Sequence, residues 1–158
     1  MSLQREVEIL RNIPLFSKID PAKLKLLAFT SEHLEYDSGD VLFHQGDVGD
    51  AAYILLEGDA DIMVDVPPDQ RIKVASLGQN ELVGEIAILC DVPRTATVIA
   101  RSRLVTMRVS KDGFFNLVTQ FPQVGMEIMH ELASRLHHTT QDLTDARLRI
   151  EQLEQRNG

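Results

Sequence analysis

Turn-forming residues divide the middle of the chain, residues 33 to 109, into short segments. The turns recur roughly every 8 to 12 residues, which is the spacing of an antiparallel sandwich or barrel. The segments between them are rich in β-branched residues, and several alternate polar and apolar side chains, as strands with one buried face do. They are too closely spaced for crossover helices, which argues against a parallel sheet. The strand candidates are VLFHQ, AAYILLEG, ADIMVDV, RIKVASL, TATVIA and RLVTMRV.

Helical patterns flank this region on both sides. Before it, apolar residues at helical spacing run up to Pro14, where the helix has to stop. A second helix is predicted with Asp20 as its N-cap and Pro21 at its first position. After the strand region, Lys111-Asp112 opens a short helix and Pro122 starts a long one.

The long helix meets no strong breaker between Pro122 and Asn157-Gly158. About 32 residues at ~1.5 Å each give roughly 48 Å, so its far end extends beyond a domain of this size. Apolar and small residues follow 4-3 spacing over three heptads, as in a coiled-coil seam. We predict a parallel homodimer, because a two-fold axis needs no second gene product; a helix packed only on its own domain is the alternative. The seam residues are Leu132, Leu136, Thr139, Leu143, Ala146, Ile150 and Leu153.

Composition and charge exclude several kinds of partner and site. The formal net charge of −8 repels nucleic acid and anionic lipid, so neither is an expected partner. The N-terminus lacks the apolar core of a signal peptide, and no apolar run approaches the ~20 residues of a membrane span. The single cysteine, Cys90, excludes an intrachain disulfide and a cysteine-ligated metal cluster. Its apolar neighbourhood predicts a buried, inert thiol in a reducing cytoplasm.

The stretch GEIAILCDVPRTATV, residues 84 to 98, combines charged residues with a core-like pattern. Gly84 lets the backbone approach a ligand closely, and the apolar residues after it are enough for a helical turn with free first amides. Arg94 suits bidentate contact with phosphate oxygens, with Thr95 as a further donor. Glu85 suits hydrogen bonds from a sugar hydroxyl. The alternative is an ordinary ion pair between Glu85 and Arg94 on a turn.

This stretch resembles the phosphate-binding cassette of the cyclic nucleotide-binding domain family, with its Gly-Glu pair, short apolar helix and Pro-Arg-Thr-Ala sequence. YDSGDVLFHQGDVGDAAYILLEGDADI, residues 36 to 62, resembles that family's glycine-punctuated strands. The resemblance covers roughly residues 8 to 153. It implies an α+β fold, an antiparallel β-roll or jelly roll of about eight strands with N-terminal helices and a long C-terminal dimerisation helix. Residues 1 to 121 would form the roll with its helices, and residues 122 to 158 the long helix.

The resemblance also implies a role for each matching residue of the cassette. Glu85 and the backbone of Gly84 would bind the ribose 2′-hydroxyl of a cyclic nucleotide. Arg94 would hold the cyclic phosphate. Three backbone amides would assist it, those of Ile86, Ala87 and Thr95. The ligand would be cyclic AMP or cyclic GMP, and no cofactor or metal is implied.

Two features bear on the base. A threonine at the place of Thr95 contacts guanine in cyclic GMP-dependent kinases, but bacterial activators carry serine or threonine there and bind cyclic AMP. ASRLHHTTQDL, residues 133 to 143, resembles the dimer helix of bacterial catabolite activators, where a Thr-Ser pair meets the adenine amino group. Thr139 and Thr140 fall at that place, and Arg135 matches an arginine that approaches the cassette glutamate. Cyclic AMP is therefore expected over cyclic GMP.

The implied function is a sensor module in which ligand links the cassette to the long helix and shifts the arrangement of helix and dimer. An enzyme is not expected, because the histidines show no metal-ligand spacing and no nucleophile-base pattern is visible. DNA binding by this chain is not expected, because the tail EQLEQRNG contains no basic recognition helix. Two alternatives stay open: a sensor fragment of a larger transcription regulator, kinase or channel, and a family member with a different ligand.

Overall fold

The computed structural model describes residues 2–157, except for the side chain of Leu15. Within these residues the strands are β1 (Glu32–Tyr36), β2 (Val41–Phe43), β3 (Ala51–Glu57), β4 (Ala60–Val66), β5 (Gln70–Leu77), β6 (Leu82–Val83), β7 (Thr97–Ala100) and β8 (Leu104–Ser110). They form two four-stranded sheets, of order β1-β8-β3-β6 and β2-β7-β4-β5. Each pair of neighbours is antiparallel. The predicted antiparallel β-roll is confirmed.

Helices pack at both ends of the chain and one interrupts the strands. They are α1 (Leu3–Arg11), α2 (Pro21–Thr30), α3 (Glu85–Cys90), α4 (Lys111–Gln120) and α5 (Pro122–Asn157), with a 3₁₀ turn at Pro14–Phe16. The predicted cap of α2 is confirmed, since the Asp20 side chain accepts a hydrogen bond of 2.9 Å from the Ala22 amide. The predicted end of α5 at Asn157-Gly158 lies partly outside the described residues.

Each of the predicted strand runs contains a strand, and two further strands complete the sheets. β1 reads EHLEY and is half-exposed, so its apolar pattern is weak. β6 has only two residues, which pair with Tyr53 and Ile54 of β3. Because β1 has a weak apolar pattern and β6 is so short, turn spacing did not reveal these two strands.

Strand β3 separates two hydrophobic clusters and is buried on both faces. Tyr53 and Leu55 belong to the cluster inside the roll, whereas Ile54 and Leu56 belong to the cluster beneath the helices. Alternate side chains of a strand point to opposite faces, so a strand between two cores reads as a continuous apolar run. The roll cluster consists of Leu42, Tyr53, Leu55, Ala60, Val83, Val98, Ala100 and Leu104.

The expectation of a buried Cys90 is wrong, because its side chain is exposed. Cys90 is the last residue of α3, and this short helix buries Ala87 and Ile88. Two residues advance a helix by about 200°, so Cys90 points away from the side on which Ile88 packs. An apolar run on a surface helix is buried on one side only.

Helix α5 packs on the domain at its start and then leaves it. Val124 and Ile128 are buried, and Leu132 packs half-buried against the helical cluster. Every residue from Leu136 to Asn157 is exposed. At ~1.5 Å per residue, this free part is about 33 Å long. The predicted overhang is therefore present, but Leu132, the first predicted seam residue, is packed on its own domain.

Candidate functional site

A cavity of about 270 Å³ opens between the roll and α3. Its walls are largely apolar side chains, and its polar groups come from the segment 84–98. All six cassette residues predicted to bind ligand line it. The lining residues are Phe43, Ile62, Leu77, Leu82, Val83, Gly84, Glu85, Ile86, Ala87, Arg94, Thr95, Ala96 and Val98.

Gly84 determines how the chain enters helix α3. It caps the helix with φ +86°, a left-handed backbone conformation that residues other than glycine rarely adopt. A Cβ added at this position would lie 2.6 Å from Nη1 of Arg94. Both the backbone conformation and the approach of the guanidinium therefore require glycine here.

The backbone of Arg94 is fixed by the turn that follows β2. The Arg94 amide donates to the Asp47 carbonyl at 2.8 Å, and the Gly46 amide donates to the Arg94 carbonyl at 2.8 Å. The turn is itself closed, because the His44 amide donates to Oδ2 of Asp47 at 3.1 Å. Two loops about fifty residues apart thus hold the Cα of Arg94 beside the cavity.

The Arg94 side chain folds inward and is 4% exposed. Nη1 donates to the Gly84 carbonyl at 2.8 Å, and Nη2 donates to the Ala51 carbonyl at 2.7 Å. Its Cζ lies 4.0 Å from the centroid of the Phe43 ring. Burial lowers the pKa of the guanidinium, although the charges of Asp50 and Asp47 act in the opposite direction.

The Nε of Arg94 is buried and has no hydrogen-bond partner within residues 2–157. No carboxylate of the described side chains lies within 4.0 Å of this guanidinium, so the alternative of a Glu85–Arg94 ion pair is wrong. A buried cation with an unmet donor is costly to leave unpaired. An anionic acceptor in the cavity would meet that donor.

Glu85 connects the cassette to helix α5. Its side chain is 16% exposed, and its Oε1 lies 3.6 Å from Nη1 of Arg135. Burial raises the pKa of Glu85, and the charge of Arg135 opposes that rise. Nε of Arg135 also lies 3.7 Å from Oε1 of Glu131, one turn earlier on α5. Arg135 therefore bridges a carboxylate of the cassette and a carboxylate of its own helix.

Thr139 and Thr140 do not reach the cavity in this chain. Both are exposed on α5, about one turn beyond Arg135, and neither is among the lining residues. The Thr140 carbonyl accepts a hydrogen bond of 2.9 Å from the Thr144 hydroxyl, within the helix. The geometry thus brings together the predicted ribose and phosphate residues and places Arg135 beside Glu85, but it leaves Thr139 and Thr140 apart from the cavity.

The sequence did not identify several residues of the site. Phe43 and the apolar walls come from strands whose inward faces the turn spacing alone could not assign. Gly49 was also missed, although a Cβ there would collide with Ala87 and lie 3.0 Å from Nε of Arg94. A second glycine three residues after Gly46, in the run GDVGD, was the available signal for such a close approach.

No group of three or more His, Cys, Asp or Glu side chains in the described part of the chain is placed to hold a metal ion. Of the helices within residues 2–157, none is both long enough and apolar enough to cross a membrane.

Comparison with other sequences identifies relatives that share this region. The chain is 33% identical over 109 residues to a cAMP-dependent protein kinase regulatory subunit from Blastocladiella emersonii, covering 69% of this chain and 27% of that protein. It is 27% identical over 140 residues to a CRP-like cAMP-activated global transcriptional regulator from Mycobacterium tuberculosis, covering 87% of this chain and 62% of that protein. The chain thus spans less than two thirds of either relative.

The fold is also similar to solved structures. The N-terminal domain of a transcriptional regulator from Streptomyces coelicolor A3(2) superposes with a TM-score of 0.73 at 30% identity, covering 83% of this chain and 94% of that one. The model of the cyclic nucleotide-binding domain matches residues 33–121, which include α3, α4 and both sheets apart from Glu32 of β1. Because this match holds the whole cavity and more than half of the residues, the chain belongs to the cyclic nucleotide-binding domain family.

Proposed function

We propose that this chain is a regulatory sensor that binds cyclic AMP in preference to cyclic GMP. One observation carries the proposal: Arg94 lies buried at the cavity, and within the described residues its Nε has no acceptor and its guanidinium no carboxylate. A cyclic phosphate supplies both the acceptor oxygen and the negative charge.

The rest of the ligand fits the remaining groups of the cavity. Glu85 lines the same cavity as Arg94, and its carboxylate can accept a hydrogen bond from a ribose 2′-hydroxyl. Ile86, Ala87 and Thr95 line the same cavity and would contribute backbone amides to the phosphate. Apolar side chains such as Ile62, Leu77 and Val98 offer surface to the sugar and base.

Cyclic AMP is preferred over cyclic GMP for two reasons. Both of the curated relatives described above carry cAMP in their names. Thr139 and Thr140 on α5 would meet the adenine amino group, which requires that α5 of this chain or of a second copy move over the cavity. Thr95 at the rim keeps cyclic GMP as the second candidate, because its hydroxyl could reach a guanine amino group.

The active form is proposed to be a parallel homodimer through α5. Leu136, Leu143, Ile150 and Leu153 are each more than half exposed along the free helix. Burying this stripe against a second copy would remove it from water. The flanking charges agree with a parallel register, because Asp142 would face Arg147 of the second copy, and Arg149 would face Glu154.

Ligand binding is proposed to act on the dimer through Arg135. This side chain joins the cassette to α5 by its contact with Glu85, the residue that would receive the ribose. A ligand that changes this contact favours one arrangement of the helix over another. The proposed role is regulatory rather than catalytic, in the cytoplasm, with the output supplied by another domain or partner.

Calorimetric titration of the purified protein with cyclic AMP, cyclic GMP and adenosine tests the proposal. Wild-type protein should bind cyclic AMP most tightly and adenosine least, because adenosine lacks the phosphate. Arg94→Ala should lose about 2–5 kcal/mol of binding free energy, which is roughly 30- to several-thousand-fold in Kd.

The matched control is Arg103→Ala, which truncates an exposed arginine that pairs with Glu35 on the surface. It should leave the Kd unchanged. Circular dichroism of Arg94→Ala should show a folded protein, so that lost affinity reports the site. A change of less than fivefold in a folded Arg94→Ala variant would contradict the proposed phosphate contact.

A further inference from the structure

We infer that Phe43 is a positioning residue for the anion site, an inference that rests on the function proposed above. Its ring holds the Arg94 guanidinium, before any ligand binds, in the place from which it would contact a phosphate. In the sequence, Phe43 is an apolar residue of the predicted strand VLFHQ, and that pattern assigns it no role at the anion site.

The ring and the guanidinium are in direct contact. Cζ of Arg94 lies 4.0 Å from the centroid of the Phe43 ring, well within the distance of a cation–π interaction. Phe43 is the last residue of β2, where it pairs with Val98 of β7. The ring also contacts Tyr53, whose ring centroid is 5.8 Å away. The strand pairing and the second aromatic ring fix the surface on which the guanidinium rests.

The backbone around the guanidinium leaves space that only glycine provides. A Cβ at Gly49 would lie 3.0 Å from Nε and 3.1 Å from Cζ of Arg94, and a Cβ at Gly84 would lie 2.6 Å from Nη1. The guanidinium is therefore enclosed by two glycines, two carbonyl acceptors and one aromatic ring. Of these neighbours, only the ring is a side chain, so it is the one that substitution can remove without altering the backbone.

The buried charge needs this support because other groups compete for it. Arg94 has a long, flexible side chain, and the described carboxylates of Asp47 and Asp50 are near enough for their charges to act on it. A guanidinium released from the ring could turn to either carboxylate or to water. An arginine already in its binding position avoids most of the ordering cost of ligand capture, which raises affinity.

Incorporation of phenylalanines with one, two and three ring fluorines at position 43 tests the inference. Fluorination withdraws electron density from the ring face and changes its size little, so it weakens the attraction to a cation selectively. The same series at Phe114, a buried core phenylalanine that contacts Phe115, is the matched control. Phe43→Tyr and Phe43→Leu add a conservative aromatic variant and an aliphatic variant.

Two readouts are measured on each protein. In the ligand-free state, the NMR resonance of the Arg94 Nε–H group, identified by its loss in Arg94→Lys, reports whether the guanidinium lies over the ring. Calorimetry with cyclic AMP reports the affinity. We expect the resonance to move stepwise with fluorination at position 43 and the affinity to fall in parallel. Phe43→Leu should lose about 3- to 30-fold in affinity, and Phe43→Tyr should retain it.

The outcomes separate this inference from the proposed function. If wild-type protein binds no cyclic nucleotide, the proposed function fails, and the ligand-free resonance still decides whether Phe43 positions Arg94. A resonance that does not respond to fluorination at position 43 overturns the inference. So does an affinity that stays constant or rises along the series, since a rise would mean that the ring competes with the ligand for Arg94.

Discussion

Glu85 shows how burial alters a single residue of the cassette. Its carboxylate lies at the cavity wall, and burial raises its pKa more than the nearby Arg135 lowers it. Because the pKa is higher in the folded than in the unfolded chain, the folded chain holds this proton more tightly. The free energy of unfolding therefore falls as the pH rises from the ordinary pKa of glutamate to the raised pKa of Glu85 in the folded chain.

Glu85→Gln should remove this pH dependence. Relative to wild type, the variant should gain stability as the pH rises through that window and keep a constant advantage above it. Urea unfolding at intervals between about pH 4 and pH 8 measures the difference. Glu81→Gln, at an exposed position four residues earlier in the chain, is the control. A stability difference between Glu85→Gln and wild type that is the same at every pH would show that burial of Glu85 has no energetic consequence.

Arg94 also shows what residue types in a sequence can and cannot predict. The identity of this residue and its place after Pro93 predicted a cation at an anion site. Arg94 lines the cavity, and its contact with a phosphate stays a prediction. The direction of the side chain was not predictable, because its partners are Phe43, Ala51 and Gly84. These groups meet only after strands far apart in sequence have paired.

At the scale of elements, helix α5 is the part of the chain that packs on the domain at its start and then extends beyond it. Its first turns pack against the helical cluster through Val124 and Ile128. The exposed part then carries leucine and isoleucine at coiled-coil spacing. The 4-3 pattern predicted both the helix and its apolar stripe. It did not show that the stripe packs on its own domain at Leu132 and is exposed from Leu136 onward.

Leu143→Lys should dissociate the proposed dimer. Burying one leucine side chain contributes about 1.5–3 kcal/mol, and a symmetric dimer buries it twice, so the dimer should weaken by about 3–6 kcal/mol, or roughly 100-fold or more. Sedimentation equilibrium measures the change. Leu148→Lys is the matched control, because Leu148 is similarly exposed on the same helix but lies off the seam. Equal weakening by both substitutions would show that the seam does not form the interface.

At the scale of the whole molecule, Arg135 of α5 forms an ion pair with Glu85 of the cassette, just before the exposed part of the helix begins. A ligand that engages Glu85 would act on this contact. Coupling between two sites typically amounts to about 1–3 kcal/mol, which corresponds to a 5- to 150-fold change in the linked affinity.

Cyclic AMP should therefore change the dimer dissociation constant by about 5- to 150-fold, and it should alter amide hydrogen exchange along residues 136–157. Arg135→Gln should bind ligand but lose most of both responses, because the link to the cassette is broken. Sedimentation and exchange mass spectrometry measure the two effects. If nucleotide binds wild type and changes neither quantity, α5 is not coupled to the cassette.

Local sequence determined most of the elements of this protein, with β1 and β6 as the exceptions. Turn residues at short intervals delimit strands, Asp20 and Pro21 begin α2, and the Gly-Glu to Pro-Arg stretch specifies the cassette with its charged groups. These features depend on backbone preferences and on residues near one another in the chain, so they are readable without a fold.

Only the tertiary structure decided which groups meet. It placed the Arg94 guanidinium on Phe43 instead of beside Glu85, exposed Cys90 at the end of α3, and buried β3 on both faces. Each of these outcomes depends on which faces of distant elements come together. Burial and side-chain pairing are properties of that packing, and the residues involved are separated by tens of positions along the chain.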